Sequence, residues 1–303
     1  MKSIFGYIRL YIKSINWLVF APSFFLILFL IYLNYHHHLY GRIRSHDVEQ
    51  QYVTWYFIFL GVLGFPYLLQ AHFEKIKVFS NWRFVVLLVL APALFAWKMV
   101  YRFELNYWPN VYQNAYWSAV LYWPIKLVVI TGLLAIIWWF FDRKEQPFYG
   151  LSSRHFHARP YWLMLLIMVP LIAAASTQPD FLAMYPKLKN IAYLHATHPF
   201  YKLLFELSYG SDFFTIELFF RGFLVLAFAK WVGKDAILPM ALFYCTIHFG
   251  KPLGECVSSF FGGLLLGIVT YHTKSIWGGL MVHVGIAWLM ELGGYIGNEV
   301  RNF

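Results

Sequence analysis

The apolar positions of this chain fall in long runs separated by short polar connectors. A helix crosses the hydrocarbon of a bilayer in roughly 20 residues, and by that measure about nine runs are long enough or nearly so. They lie near 15–35, 53–72, 84–103, 116–141, 161–176, 203–232, 236–250, 253–272 and 275–297. The first follows a basic stretch (Lys2, Arg9, Lys13) but is too long for the apolar part of a signal peptide and lacks a small-x-small cleavage site, so it reads as a retained span. Gly64-Phe65-Pro66 is expected to break the second run, and Pro92 to kink the third. Lys98, Arg102 and Lys126 are expected to snorkel to an interface. The proline-rich segment 177–201 reads as an interfacial loop with a short amphipathic helix, leaving His195 and His198 as exposed loop residues.

The fold class that follows is all-α, a polytopic transmembrane helical bundle. Its expected divisions are an N-terminal transmembrane region of about four spans over 1–160, closed by a polar boundary loop at 142–160; a fifth span and interfacial loop over 161–200; and a core of about four helices over 201–297. Small residues are dense in the last two runs, where Gly263 and Gly267 make a G-x-x-x-G and Gly278, Gly279, Gly285, Gly293 and Gly294 follow. That density predicts close helix packing in the C-terminal part.

Composition sharpens this picture. Of the 303 residues, 60% are hydrophobic, 22% aromatic and only 13% charged; a soluble domain carries about twice that charged fraction. The net charge of +10 is scattered through the loops. Without a clustered basic stripe it argues against nucleic acid and for topology signals and contacts to the lipid bilayer. Cys245 and Cys256 lie in or near apolar segments and suggest neither a disulfide framework nor a C-x-x-C site. His36-His37-His38 has no carboxylate or cysteine beside it and reads as an interfacial loop.

Candidate chemistry concentrates in 203–232, which is apolar enough to span and yet carries Glu206, Asp212, Glu217 and Arg221. An ionisable group at membrane depth costs at least about 2.5 kcal/mol, so such groups persist where they face a polar interior. On an α-helix Glu217 and Arg221, four apart, share a face and can pair. Gly222 lets a neighbouring backbone approach. His248 and His283 stand within two later apolar runs. Each of these has a purely structural reading, an ion pair or a core histidine bonded to a carbonyl, but together they predict one polar site in a helical bundle.

These groups suit hydrolysis. A carboxylate and an imidazole can activate water and return its proton to a leaving group, while a second histidine or an arginine stabilises an oxyanion. Zinc on two histidines and a carboxylate is possible but not favoured, because H-E-x-x-H is absent; no cofactor is required. Ser258 and Ser259 have no evident base nearby in sequence. A proton-coupled transporter would use the same residue types, but no inverted repeat accompanies them.

The residues resemble the CPBP/Abi family of intramembrane proteases, which includes CAAX prenyl proteases and bacteriocin-processing enzymes. The family's E-E-x-x-x-R appears as Ile216-Glu217-Leu218-Phe219-Phe220-Arg221, its F-x-x-x-H as Tyr244-Cys245-Thr246-Ile247-His248, and its H-x-x-x-N as His283-Val284-Gly285-Ile286-Ala287. The resemblance covers roughly 200–295. It implies an intramembrane endopeptidase, multi-pass in a bacterial inner membrane, that cleaves membrane-associated, prenylated or leader-peptide substrates. By position Glu217 and His248 then activate water, Arg221 orients the glutamate and His283 supports the oxyanion. Two positions depart from the pattern: the first glutamate is Ile216, and the polar end of the last motif is Ala287. Asp212, Tyr244, Glu255 and Glu291 are candidate supporting residues. A catalytically inactive relative, acting as a membrane binding or bacteriocin-immunity protein, is the alternative these departures leave open.

Overall fold

The structure, a computed structural model, describes residues 4–153, 156–192 and 198–301. Lys2, Arg154 and His195 lie outside the described residues. Among those described there is no strand. In chain order the helices are α1 (Ile4–Lys13), α2 (Trp17–His36), α3 (Leu39–Ser45), α4 (Val48–Phe73), α5 (Trp82–Val100), α6 (Val111–Phe141), α7 (Arg159–Ala175), α8 (Pro179–Met184), α9 (Lys189–Ala192) and α10 (Pro199–Glu217). A π-helical stretch, Leu218–Ala227, continues directly from α10. After it come α11 (Ala229–Val232), α12 (Ile237–Thr246), α13 (Leu253–Thr273) and α14 (Trp277–Arg301).

Six of these are long and apolar enough to cross a membrane: α2, α4, α5, α6, α13 and α14 as far as Val300. A seventh span arises if α7 and the following Pro179–Ala192, bent by 99° from it, count as one. The chain is a multi-pass integral membrane protein. The number falls below the nine apolar runs for two physical reasons. First, α10 carries Lys202, Glu206, Asp212 and Glu217 within 19 residues. Second, α12 is only 10 residues long and stops before Pro252, which holds the chain extended at ψ 146.

Gly64 and Pro66 do not break α4, which runs through as a single element, and α5 continues past Pro92. Without competing water the remaining backbone bonds hold, and Gly64, Pro66 and Pro92 are all buried against neighbours. Lys98 and Lys126 also differ from expectation. They are buried, at 7% and 4% exposure, with their ammonium groups over the rings of Phe95 (5.2 Å) and Tyr122 (3.6 Å). An aromatic face one helical turn back offers the ammonium negative quadrupole density.

The chain divides into two compact units, each assembled from three stretches: Met1–Tyr101, Leu134–His155 and Leu218–Ile276 in the first, Arg102–Leu133, Phe156–Glu217 and Trp277–Phe303 in the second. The first unit is built on aromatic packing. Phe59 of α4 lies 4.5 Å from Phe243 of α12, and Phe95 of α5 lies 4.9 Å from both Phe219 and Phe220. The G-x-x-x-G face of α13 meets α12: a methyl group on Gly263 would stand 3.4 Å from the Ala241 backbone, and one on Gly267 2.6 Å from Met240. Gly222 does what its position predicted. A side chain there would lie 2.5 Å from the main-chain oxygen of Tyr149, so only glycine admits that backbone.

The second unit packs α14 through its glycines. Gly278 faces the Tyr161 ring and Gly285 faces Leu165, both on α7, while Gly294 abuts the Tyr185–Pro186 backbone. Ile172, Phe181, Leu182 and Tyr185 form one buried cluster of this unit, and Tyr116, Val120, Ile191 and Phe205 another.

Candidate active site

Within the second unit, Glu217 closes α10 and is wholly buried. Its Oε1 lies 3.0 Å from Nδ1 of His283 on α14. An ionised carboxylate only accepts, so Nδ1–H of the ring is the donor. The Phe213 ring packs on the same imidazole, centroids 4.7 Å apart, and restrains its tilt. Gly279, one turn before His283, makes the space: a side chain there would run into Oε2 of Glu217. Sequence reading treated Gly279 as a packing glycine and passed over Phe213. The usable signal was the four-residue step from Gly279 to His283, which puts a small residue on the histidine's own face.

Within the first unit, the same device appears with a different acceptor. His248 lies in the turn after α12, and its Nδ1 sits 2.9 Å from the carbonyl oxygen of Tyr244. A carbonyl cannot donate, so this histidine too donates from Nδ1–H. The two rings stand edge to face at 4.7 Å. Tyr244 also carries Arg221, fully buried, whose guanidinium carbon is 4.1 Å from the ring centroid. Tyr244, a supporting candidate in the sequence, is thus the joint between Arg221 and His248. Beneath the turn, Asn34 donates to the carbonyl of Phe249 at 2.8 Å and Tyr35 to that of Lys251 at 2.6 Å, which anchors the segment to α2.

Helical winding around these groups differs from the single α-helix assumed for 203–232. From Leu218 the chain winds as a π-helix, and all ten residues to Ala227 are buried. Arg221 therefore sits in a widened turn, so an α-helical spacing argument stops at Glu217. π-Helical turns are rare overall and are frequent at functional sites.

The remaining candidates have other partners. Glu255 on α13 is ion-paired with Lys251 at 3.1 Å. Glu291, one turn beyond Ala287 on α14, accepts the backbone N–H of Lys187 at 2.8 Å and of Leu188 at 3.3 Å. It holds the turn before α9. Asp212 is half-buried on α10. Cys245 and Cys256 are free and buried, with sulfurs 3.9 Å apart. Among the described residues no group of three or more His, Cys, Asp or Glu side chains is arranged to hold a metal ion.

Comparison with known protein families gives a match. Residues 196–289 fit the family described as type II CAAX prenyl endopeptidase Rce1-like. The matched stretch contains Glu217, Arg221, His248 and His283, covers less than half of the chain, and bears out the resemblance drawn from the motifs. The description of the matched family is that of an endopeptidase. No curated protein and no solved structure matches the chain significantly.

Proposed function

We propose that this chain, whose residues 196–289 carry the type II CAAX prenyl endopeptidase signature, is a glutamate- and histidine-dependent intramembrane endopeptidase that cleaves membrane-associated peptides of the prenylated or leader-peptide kind. The observation that carries the reading is the shared state of the two histidines. Each has its Nδ1 proton committed to a fixed oxygen, the Glu217 carboxylate for His283 and the Tyr244 carbonyl for His248. Such an anchor orients each ring for chemistry.

In the proposed reaction His248, with Glu217, takes a proton from water through its Nε2, and the hydroxide forms a bond to the scissile carbonyl carbon. The resulting oxyanion is met by His283, whose ring can bear developing positive charge because the Glu217 carboxylate stands behind it. Collapse breaks the C–N bond, and His248 passes its proton to the leaving amine. Arg221, held over Tyr244 by cation–π contact, orients the histidine turn and adds positive charge to the site. The scheme needs no metal. Zinc would have to draw on donors already engaged in hydrogen bonds, and Arg221 adds like charge. The bilayer is the bacterial inner membrane in this reading.

Ile216, where the family pattern has its first glutamate, is buried and apolar. It favours a second reading in which the chain binds such peptides without cutting them. One assay separates the two: wild-type protein in proteoliposomes, with a prenylated CAAX peptide and a leader-bearing membrane peptide, in the presence and absence of chelator. Cleavage that survives chelator and disappears in a Glu217→Gln, His248→Ala double variant is the expected result. No cleavage by the wild type, with cleavage created by Ile216→Glu, sinks the enzymatic reading and establishes the inactive relative.

A further inference from the structure

The first unit holds a cavity of about 460 Å³ that the proposed reaction does not use. Its walls come from the segment after α6 (Glu145, Gln146, Ser152), the start of α11 (Lys230) and the end of α13 (Tyr271, Lys274). A volume of this size is within the range of small-ligand sites, about 300–1,000 Å³.

The backbone around it is strained. Tyr149 and Lys274 are two of the four non-glycine residues with positive φ among those described, at 36° and 53°, and Gly150 between the walls stands at 79°. Such conformations persist where the surroundings over-determine them, and they gather at ligand clamps and switch regions. The surroundings here are explicit. Asp142, fully buried, accepts the Tyr149 hydroxyl at 2.7 Å and the Lys230 ammonium at 2.5 Å. The Gly150 carbonyl accepts the N–H of Ile276 at 3.0 Å.

One cation at the cavity stands outside its ion pairs. Lys230 is matched by Asp142 and by Glu145 at 3.1 Å. Lys274 has no carboxylate partner among the described residues; its ammonium lies over the Tyr271 ring, 4.1 Å from the centroid. Desolvation there pulls it below the ordinary lysine range even though the residue as a whole stays exposed at the cavity mouth. An incoming anion favours its charged form.

The level of the cavity suggests where the anion comes from. Two membrane-spanning helices end at its rim, α6 at Phe141 and α13 at Thr273, next to Lys274. The last turn of α6 exposes Trp139 and Phe140, and Arg143 stacks on Trp139 at 4.2 Å. Aromatic rings with cations beside them mark the headgroup layer. We propose that this cavity binds a phosphate ester carried by a membrane lipid headgroup, with Lys274 as the anchoring cation and Ser152, Gln146 and Tyr271 as neutral hydrogen-bonding partners. A lysine serves phosphate as a point charge, and the apolar surface beside Trp139 and Phe140 receives the acyl chains. This site stands independently of the proposed protease activity.

The test is retention of lipid by the purified full-length protein, measured by native mass spectrometry after reconstitution with phosphatidylglycerol, or with diacylglycerol of the same chains. The expected result is one phosphatidylglycerol per chain, held about tenfold less tightly by Lys274→Glu and by Lys274→Asn, which tolerates positive φ. Lys77→Glu, an equal charge change at an exposed site away from the cavity, leaves retention unchanged. Equal retention in wild type and both Lys274 variants, or diacylglycerol held as tightly as phosphatidylglycerol, overturns the site. Displacement of the lipid by inorganic phosphate alone overturns the lipid assignment.

Discussion

His248 and His283 are held through the same nitrogen by partners of different kind, and the difference separates what is local from what is tertiary. The acceptor for His248 is the main-chain carbonyl of Tyr244, four residues back in its own turn. No side-chain substitution can remove it, and it carries no net charge. The acceptor for His283 is the buried carboxylate of Glu217, 66 residues away in sequence. It brings a charge, it can be deleted, and it fits only because Gly279 has no side chain. One histidine is set by a turn, the other by packing.

Four substitutions bear on this contrast, each read as kcat/KM on a prenylated CAAX peptide in proteoliposomes. The largest effect is expected of His248→Ala. It removes the proposed proton acceptor, and general acid–base groups contribute about 10²–10⁴-fold. Loss below tenfold would remove His248 from the chemistry. Next comes Glu217→Gln, with about a 10²-fold drop. The glutamine carbonyl still accepts from Nδ1, so the tautomer survives and the loss reports on charge alone; wild-type rates would mean that geometry, not charge, is what Glu217 supplies. Gly279→Ala is expected to cost about tenfold. Its added methyl group overpacks the site and displaces the carboxylate, at about 1–3 kcal/mol. If its activity falls while the double variant with Glu217→Gln falls no further, the two act through one contact. Smallest is Tyr244→Phe, under about twofold. It keeps both the ring beneath Arg221 and the carbonyl that anchors His248; a larger loss would place the Tyr244 hydroxyl in the reaction.

The two histidine anchors were unequally legible. Tyr244-x-x-x-His248 ahead of Lys251-Pro252 already says that a helix ends there and that the histidine is one turn from a carbonyl. For His283 the residue types and their order were readable, and the pairing with Glu217 was not, because nothing local joins α10 to α14. Glu291 shows the limit of face arguments. It lies one turn beyond Ala287, as helical spacing requires, yet it serves the Lys187 and Leu188 amides. The π-helical stretch is invisible in LFFRGFLVLA, which holds no proline and nothing else that forbids an α-helix. Lys126 and Lys98 carried a sign that could have been used: an aromatic ring four or three residues earlier, on the same helical face.

By itself the sequence determined that the chain is helical and membrane-embedded, because runs this apolar leave backbone groups no partner but their own helix. It determined which few polar residues had to find company there, because each costs free energy if left alone. Only the tertiary structure decided who the company is. It put a carboxylate behind His283 and a tyrosine ring under Arg221, widened one helix into a π-turn, and closed ionic partners around Asp142 beside the lone charge of Lys274. The physical reason is that hydrophobic periodicity acts over a few residues. Choosing among several possible polar partners depends on Å-scale packing between elements distant in sequence, where one methyl group on Gly279 or Gly222 is enough to change the outcome.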